Sequence, residues 1–477
     1  MRFFLQTLCL LGCSFFSHVA AVQADNYAPL AYLPEGSRSS LWVENLQNQT
    51  SLSSLPSNPQ LFPPASTLKL ATALAAKLEL GDDFVFTTQL LRDKQDIILR
   101  FSGDPTLTTE QLKALLAEAK AQGITQISGD IWLDNSVFTG YERAVGWPWD
   151  ILGVCYSAPS SAITLDENCV QASIYTQDDG NTRVYVPEHF PIYVKTDVKT
   201  VSKTVKEASH CDLELLTSSN NQYQLQGCLV ERDKPLPLKF AVQDSTQYAT
   251  RIVYNLLRQL NIRFTGQIQI GKPNSTSATL IATHQSSPLP ILLNSMLKHS
   301  DNLIADNLTK ALGAHFYLQP GSFNNGTEAI KQVLFAKAGI DLSRAQLADG
   351  SGLSRNNRMS PQDMMAILKY LWQHDAQLRI LSMLPKSGVS GTLKYRQSMR
   401  QEPVKGQILA KSGSLYGSYN MAGFVLDQNG QPRSAFVQFI TDYYPSEEST
   451  PVAPITQFEN AFYRDLLQFS QVTTQRP

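Results

Sequence analysis

The stretch FPPASTLKLATALAAKLEL, residues 62–80, decides how the rest of the chain is read. After Pro63 and Pro64 the run is rich in Ala and Leu, which form helix readily. A proline suits a helix start, because its missing N–H would have been unpaired there anyway. The pattern predicts a helix opening at the prolines, with Ser66 and Lys69 three residues apart on one face. One reading is a serine near a helix start and a lysine whose head snorkels to water. The other is a buried lysine facing the serine. The tetrapeptide alone does not separate them.

The whole chain narrows the choice. At 477 residues it suggests about two to four domains. Lys and Arg number 40 against 41 for Asp and Glu, so nothing argues for nucleic acid, whose binding needs a basic surface. No basic tail is present to hold an anionic membrane. The N-terminus has Arg2, an apolar FFLQTLCLLGCSFF and a small-residue site at Val22 and Ala24, which together read as a signal peptide, residues 1–24, cut after Ala24. Leu10–Cys13 (LLGC) offers lipoprotein processing at Cys13 as a weaker alternative, since the Leu before Gly12 fits that pattern poorly. No later run reaches the ~18 apolar residues of a spanning helix. The expected product is exported, soluble and without a transmembrane anchor.

Export makes Cys155, Cys169, Cys211 and Cys228 candidates for disulfides, and proximity pairs 155 with 169 and 211 with 228. Four cysteines allow three connectivities. A four-cysteine zinc site is the alternative, but no CxxC spacing supports it, and the scattered His residues form no HExxH. No metal and no cofactor are expected.

Along the chain, SLWVENL predicts a strand before the opening helix. Strand-like runs from Phe84 to Asp150 surround a helix, TEQLKALLAEAKAQG, that stops at Gly123. Residues 170–243 carry short β runs such as TRVYVPE and QYQLQGCLV between polar turns. Helices return with TQYATRIVYNLLRQLN and after Pro290. Ser360, Pro361 and Asp363 form a helix start. QILAKSGSLYGSYNMAGFVLDQNGQPRSAFVQFIT reads as three strands with a hairpin turn at Asn429-Gly430, and TQFENAFYRDLLQF as a closing amphipathic helix. The ends are mixed α and β, and the middle is richer in β.

Two further motifs stand with Ser66-Thr67-Leu68-Lys69. HSDN gives Ser300-Asp301-Asn302 between two helices, and Lys411-Ser412-Gly413 lies on a strand. Each pattern also occurs elsewhere: SxxK at Ser295–Lys298, KSG at Lys386–Gly388, and SxN at Ser218, Ser219, Ser322, Ser354 and Ser418. Context argues against these copies. Ser295 and Lys298 end a helix just before the SDN, and Lys386 follows Pro385 in a Gly/Ser-rich loop, whereas a cation that must meet a carboxylate at fixed geometry belongs on a rigid strand.

The chemistry needs each part. A serine hydroxyl is a weak nucleophile until a base takes its proton. A lysine can be that base if burial and nearby cations lower its pKa. Ser300 and Asn302 can relay protons and hold a substrate amide. Lys411 supplies charge, and Ser412 a hydroxyl, for a terminal carboxylate. The N–H groups of Ser66 and Ser414 are candidates for an oxyanion hole.

SxxK, SDN and KTG are the signature of class A β-lactamases and penicillin-binding proteins. With PASTLKLATA, GDPTLT, GWPW, HSDNLIAD, DGSGLSRNNRMSP, SGVSGTL and KSGSLYGSYNMAGFV, the chain resembles the peptidase S13 family, the D-alanyl-D-alanine carboxypeptidase/endopeptidases of the penicillin-binding protein 4 type. The long gap from Lys69 to Ser300 fits that family, which inserts domains there, better than β-lactamases.

The resemblance implies a β-lactamase/transpeptidase-like α/β (α+β) catalytic domain, an antiparallel sheet flanked by helices. It would comprise residues 25–85 and 276–477, with residues 86–275 inserted and a β-rich sub-domain near 170–243. It makes Ser66 the acylated nucleophile, Lys69 its base, Ser300 and Asn302 the second motif, and Lys411, Ser412, Gly413 and Ser414 the carboxylate-binding strand. Ser412 stands where the family commonly has Thr, keeping the hydroxyl and losing a methyl. An acidic residue near GWPW receives the diaminopimelate amino group in the family, and Asp150 is the nearest candidate. A solvated loop carboxylate is its alternative.

His299 reads as a helix-end residue rather than a catalytic base, Trp147 and Trp149 as packing with lining of the substrate groove as the alternative, and Asp349–Gly352 as a turn that, by the resemblance, shapes the site. The implied partners are peptidoglycan stem peptides, their cross-links and β-lactam antibiotics, with room for a homodimer. The expected function is a periplasmic serine DD-peptidase; a β-lactamase and a non-catalytic peptidoglycan-binding scaffold are the rivals.

Overall fold

The computed structural model describes residues 27–53, 60–274, 277–446 and 451–471. The leader read at residues 1–24, with Cys13, lies outside them. Among the described residues no helix is long and apolar enough to cross a membrane.

The site is carried by a five-stranded antiparallel sheet drawn from both ends of the chain. Its order is Ile408–Leu415, Ser418–Leu426, Pro432–Thr441, Arg38–Asn45 and Ser51–Ser53, with Arg38 opposite Thr441 and Asn45 opposite Ser434. Side chains alternate across a strand. Ala435, Val437 and Phe439 therefore face one core, and Phe436 and Ile440 the other. The first core is helical and centres on Lys69–Glu79, which packs against Asn302–Tyr317 and Phe323–Ala338. The second lies under the Pro454–Gln471 helix, whose Phe458, Phe462, Tyr463 and Leu466 are buried there.

Local signals account for several boundaries. Ser360 caps the Pro361–Gln373 helix in a reciprocal box with Asp363. The last hairpin turns through Asp427–Gln431, where Gly430 takes a φ of 77° and the Asp427 carboxylate accepts the N–H groups of Asn429 and Gln431.

In the chain between the Lys69–Glu79 and Asn302–Tyr317 helices, a second sheet runs in the order Ile268–Ile270, Ile131–Asp134, Asp96–Arg100, Thr87–Asp93 and Thr279–Gln285. Its last strand pairs with Thr87–Asp93 and reaches past residue 275, the boundary read from the sequence. Smaller sheets follow in the β-rich middle: Leu236–Ala241, Cys169–Thr176 and Thr182–Tyr185 in one, and strands around Gln222–Val230 in another. Disulfides join Cys155 to Cys169 and Cys211 to Cys228. Closing loops of this size stabilises by about 3 kcal/mol each on chain-entropy grounds.

Candidate active site

The three motifs meet where the Ala65–Leu68 turn, the break between two helices and the Ile408–Leu415 edge strand converge. Ala65 takes a left-handed φ of 48°. The Pro64 carbonyl then accepts both the N–H and the hydroxyl of Thr67, and a 3₁₀ turn forms. The α-helix begins only at Lys69, a turn later than the Ala/Leu pattern implies. With three residues per turn, a 3₁₀ segment eclipses positions i and i+3, which brings Ser66 and Lys69 into line.

Lys69 is fully buried. Its Nζ donates to Ser66 Oγ at 3.1 Å, Asn302 Oδ1 at 2.6 Å and the Ser351 carbonyl at 2.6 Å. All three acceptors are uncharged. Burial pushes the ammonium down to about 8, against the pull of Asp306, Asp349 and Asp301. Desolvation is thus the cause of the shift, and the neighbouring charges named here oppose it; the cations expected from the sequence are not the agents. A neutral amine has two N–H donors, which Asn302 and Ser351 can take, leaving its lone pair for the Ser66 hydroxyl.

Ser300 ends the Leu289–His299 helix with a φ of 60°, and Asp301 caps the next helix through the N–H of Ile304. A left-handed serine is uncommon and costs strain, which the two flanking helices hold in place. Lys411, fully buried on the edge strand, donates to Ser300 Oγ at 2.9 Å and to the Ser412 carbonyl at 2.8 Å. Burial, and then repulsion from Lys69, push its ammonium well below the usual range. Ser412 Oγ lies 2.8 Å from Thr392 Oγ1.

Two glycines let the backbones close on the Ser66 turn. A Cβ on Gly413 would stand 2.9 Å from both Pro64 O and Thr67 N, and one on Gly352 would stand 1.9 Å from Ala65 O. Ser66, Ser300, Asn302 and Ser414 open on a cleft of about 530 Å³ that Asp150, Tyr156, Arg355 and Tyr416 also line. A larger cavity, about 670 Å³, lies between Thr106 and Gln259 in the chain, against Asp166 and Glu167, and holds no motif residue.

The predicted residues thus converge, with Ser414 and Asp150 as lining groups of the cleft. Others were missed. Asn302 Nδ2 donates to the Tyr156 carbonyl at 2.7 Å, beside the Cys155 disulfide. Trp147 is buried and its Nε1 donates to Asp349 Oδ2 at 2.9 Å, so GWPW is tied to the Asp349–Gly352 turn. Trp149 does not pack as expected; it is 83% exposed, because its short 3₁₀ turn buries none of its residues. His299 is exposed at its helix end.

An antiparallel sheet whose edge strand faces a helix-borne serine–lysine pair, with a second serine between them, defines the class of penicillin-recognising serine enzymes. The sequence pattern of the D-Ala-D-Ala carboxypeptidase 3 (S13) family matches residues 24–462, and the chain belongs to that family. It is 40% identical over 450 residues to the D-alanyl-D-alanine carboxypeptidase DacB of Haemophilus influenzae, covering 92% of each protein. The crystal structure of penicillin binding protein 4 from Haemophilus influenzae is similar with a TM-score of 0.85 at 40% identity, over 92% of this chain and 98% of that one. That protein complexed with a β-lactam gives 0.80 at 38% identity, over the same shares of the two chains. The chain is a serine peptidase homologous to D-alanyl-D-alanine carboxypeptidases.

Proposed function

We propose that the cleft hydrolyses the bond before a terminal D-alanine, and the D-alanyl–diaminopimelate bond of peptidoglycan cross-links, through an ester on Ser66. The observation that carries this is the contact of the buried Lys69 Nζ with Ser66 Oγ inside a shell of uncharged acceptors. Ser66 Oγ attacks the carbonyl carbon as its proton passes to Lys69. The N–H groups of Ser66 and Ser414 receive the developing oxyanion, a donor of this kind being worth ~10²–10³ in turnover. The Ser300 hydroxyl passes a proton to the leaving amine, the one taken up by Lys69 restoring the balance, and Asn302 holds the substrate amide. Lys411, Ser412 and Gly413 form the seat of the terminal carboxylate, whose arrival favours the charged form of Lys411. Water then hydrolyses the ester.

Asp150 and Arg355, both on the cleft, offer an anion for the amino group and a cation for the carboxylate of diaminopimelate. A β-lactam forms the same ester and leaves slowly. The chain works in the periplasm after removal of residues 1–24.

Digestion of purified muropeptides tests this directly. Pentapeptides should lose D-alanine, and cross-linked dimers should fall to monomers. Rapid continuing turnover of penicillin with intact muropeptides would establish the β-lactamase reading instead. No ester with penicillin and no cleavage would leave a binding scaffold.

A further inference from the structure

Behind the serine–lysine pair lies a buried acid that the steps above do not use. Asp306 follows Asn302 by four residues on the same helix and is fully buried. Its Oδ1 accepts the N–H groups of Gly350 at 3.1 Å and Ser351 at 2.9 Å. The carbonyl of that same Ser351 accepts from Lys69. Its other oxygen, Oδ2, is sealed from solvent and no donor among the described residues meets it at hydrogen-bond geometry, although the Ser351 hydroxyl bears on the carboxyl.

The neighbouring acid, Asp349, is held differently. Its Oδ1 accepts from Gly352 N and Asn357 Nδ2, each at 2.8 Å, and its Oδ2 from Trp147 Nε1 at 2.9 Å and Ser354 N at 2.7 Å. Four donors spread over both oxygens suit an ionised carboxylate. A bare anionic oxygen in the interior does not, since burying charge without donors is costly.

The charges facing Asp306 are few. Asp349 repels it and Lys69 attracts it, and Asp301 bears on the same lysine. Lys310, on its own helix, donates to the carbonyls of Tyr141 and Ser160 but is also within reach of the charge of Asp306 and so attracts it, and Lys411 lies beyond Lys69. Burial and Asp349 outweigh Lys69, the Ser351 hydroxyl and the Gly350 N–H, and push the Asp306 carboxyl well up. Were both acids ionised, their combined charge would hold the proton on Lys69.

We propose that Asp306 is a positioning residue kept as the un-ionised acid, with its proton on Oδ2. Through Oδ1 it fixes the Ser351 carbonyl against Lys69. By carrying no charge it lets Lys69 be neutral. The proposal rests on the reading of Lys69 as the base.

The test is acylation of the mature protein by a fluorescent penicillin, followed as a function of pH in three forms. Asp306→Ala, which drops the Oδ1 acceptor, should slow acylation by about tenfold or more. Asp306→Asn, which copies the neutral acid, should recover most of that loss and move the midpoint of the pH profile by less than about 0.3 unit. An ionised Asp306 predicts otherwise: Asp306→Asn would then lower the midpoint by about one unit or more, since a negative neighbour holds a proton on an amine. That result, or a loss in Asp306→Asn equal to that in Asp306→Ala, overturns the proposal.

Infrared difference spectra decide the protonation state apart from activity. The carbonyl stretch of a protonated carboxylic acid should be present in the parent at neutral pH and diminished in Asp306→Asn. Its absence from the parent overturns the proposal even where a variant fails to fold. A parent that penicillin does not acylate at Ser66 sinks the functional reading, and the infrared result still judges Asp306.

Discussion

The Ser-x-x-Lys pattern occurs twice in this chain, in two regions that treat it differently. Ser66 and Lys69 open a helix through a 3₁₀ turn, and the lysine reaches the serine hydroxyl. Ser295 and Lys298 lie near the end of the Leu289–His299 helix, and Lys298 turns to the Leu384 carbonyl and the Ser390 hydroxyl. Burial pushes Lys298 down too. Neither desolvation nor a nearby hydroxyl therefore sets a pair apart by itself; Ser66 differs in opening on the cleft, 3.1 Å from its lysine.

The Lys-Ser-Gly copies teach the same lesson. Residues 385–387 lie along the edge strand, bonded to Ile408 and Ala410, and that cover ends just before Lys411. The copy at Lys386 thus serves the strand that carries the other.

The sharpest way to break this comparison is at the serines. Ser66→Ala should cut labelling by a fluorescent penicillin on the order of 10⁴-fold or more, while Ser295→Ala labels like the parent. Persistent covalent labelling of Ser66→Ala would refute the distinction. Next come the lysines. Lys69→Met should lower the acylation rate constant by about 10³-fold. Lys298→Met should leave that rate within about threefold and cost about 1 kcal/mol in denaturant unfolding, the worth of its lost hydrogen bonds.

A smaller effect is expected at Gly352. Its φ of 83° and the 1.9 Å approach to Ala65 O leave no place for a methyl. Gly352→Ala should displace the Ser66 turn and slow acylation by about 10²-fold, the scale of a 1 Å misplacement. Pre-steady-state kinetics would measure it.

The gentlest probe is pH. The amine must be unprotonated to accept the serine proton, so acylation of the free enzyme should fall about tenfold per pH unit below the Lys69 value of about 8. A rate that stays flat through that range would remove Lys69 as the base. The same depressed value means that the unfolded chain binds the extra proton between about 8 and 10.5, so stability should rise with pH across that window.

What was legible in the sequence was what lies in contiguous side chains. SxxK, SDN and KSG each read as short runs, the Ser360–Asp363 box formed as its spacing implied, and the two cysteine pairs closed between near neighbours. The carbonyls of Ser351 and Tyr156, which complete the shell around Lys69 and Asn302, were not legible, because a backbone oxygen has no residue type to announce it. Trp147 and Asp349 were visible as letters but not as partners, since their bond spans a long stretch of chain. Thr279–Gln285 gave no clean alternation, being largely exposed on a sheet edge, so its pairing with Thr87–Asp93 was not legible. The delayed start of the opening helix turned on a left-handed Ala65, a conformation that alanine seldom signals.

One feature of the sheet bears on when the protein first becomes capable of chemistry. Arg38 pairs with Thr441, and the Lys411 strand is held in place by the two strands that follow it. Synthesis proceeds from the N-terminus, so Ser66 and Lys69 are made early, yet their surroundings depend on almost the last residues to appear. A chain broken off before Pro432 has Ser66 and Lys69 but no third strand to seat the edge on which Lys411 stands. The order of synthesis thus withholds the assembled sheet until nearly the whole chain exists.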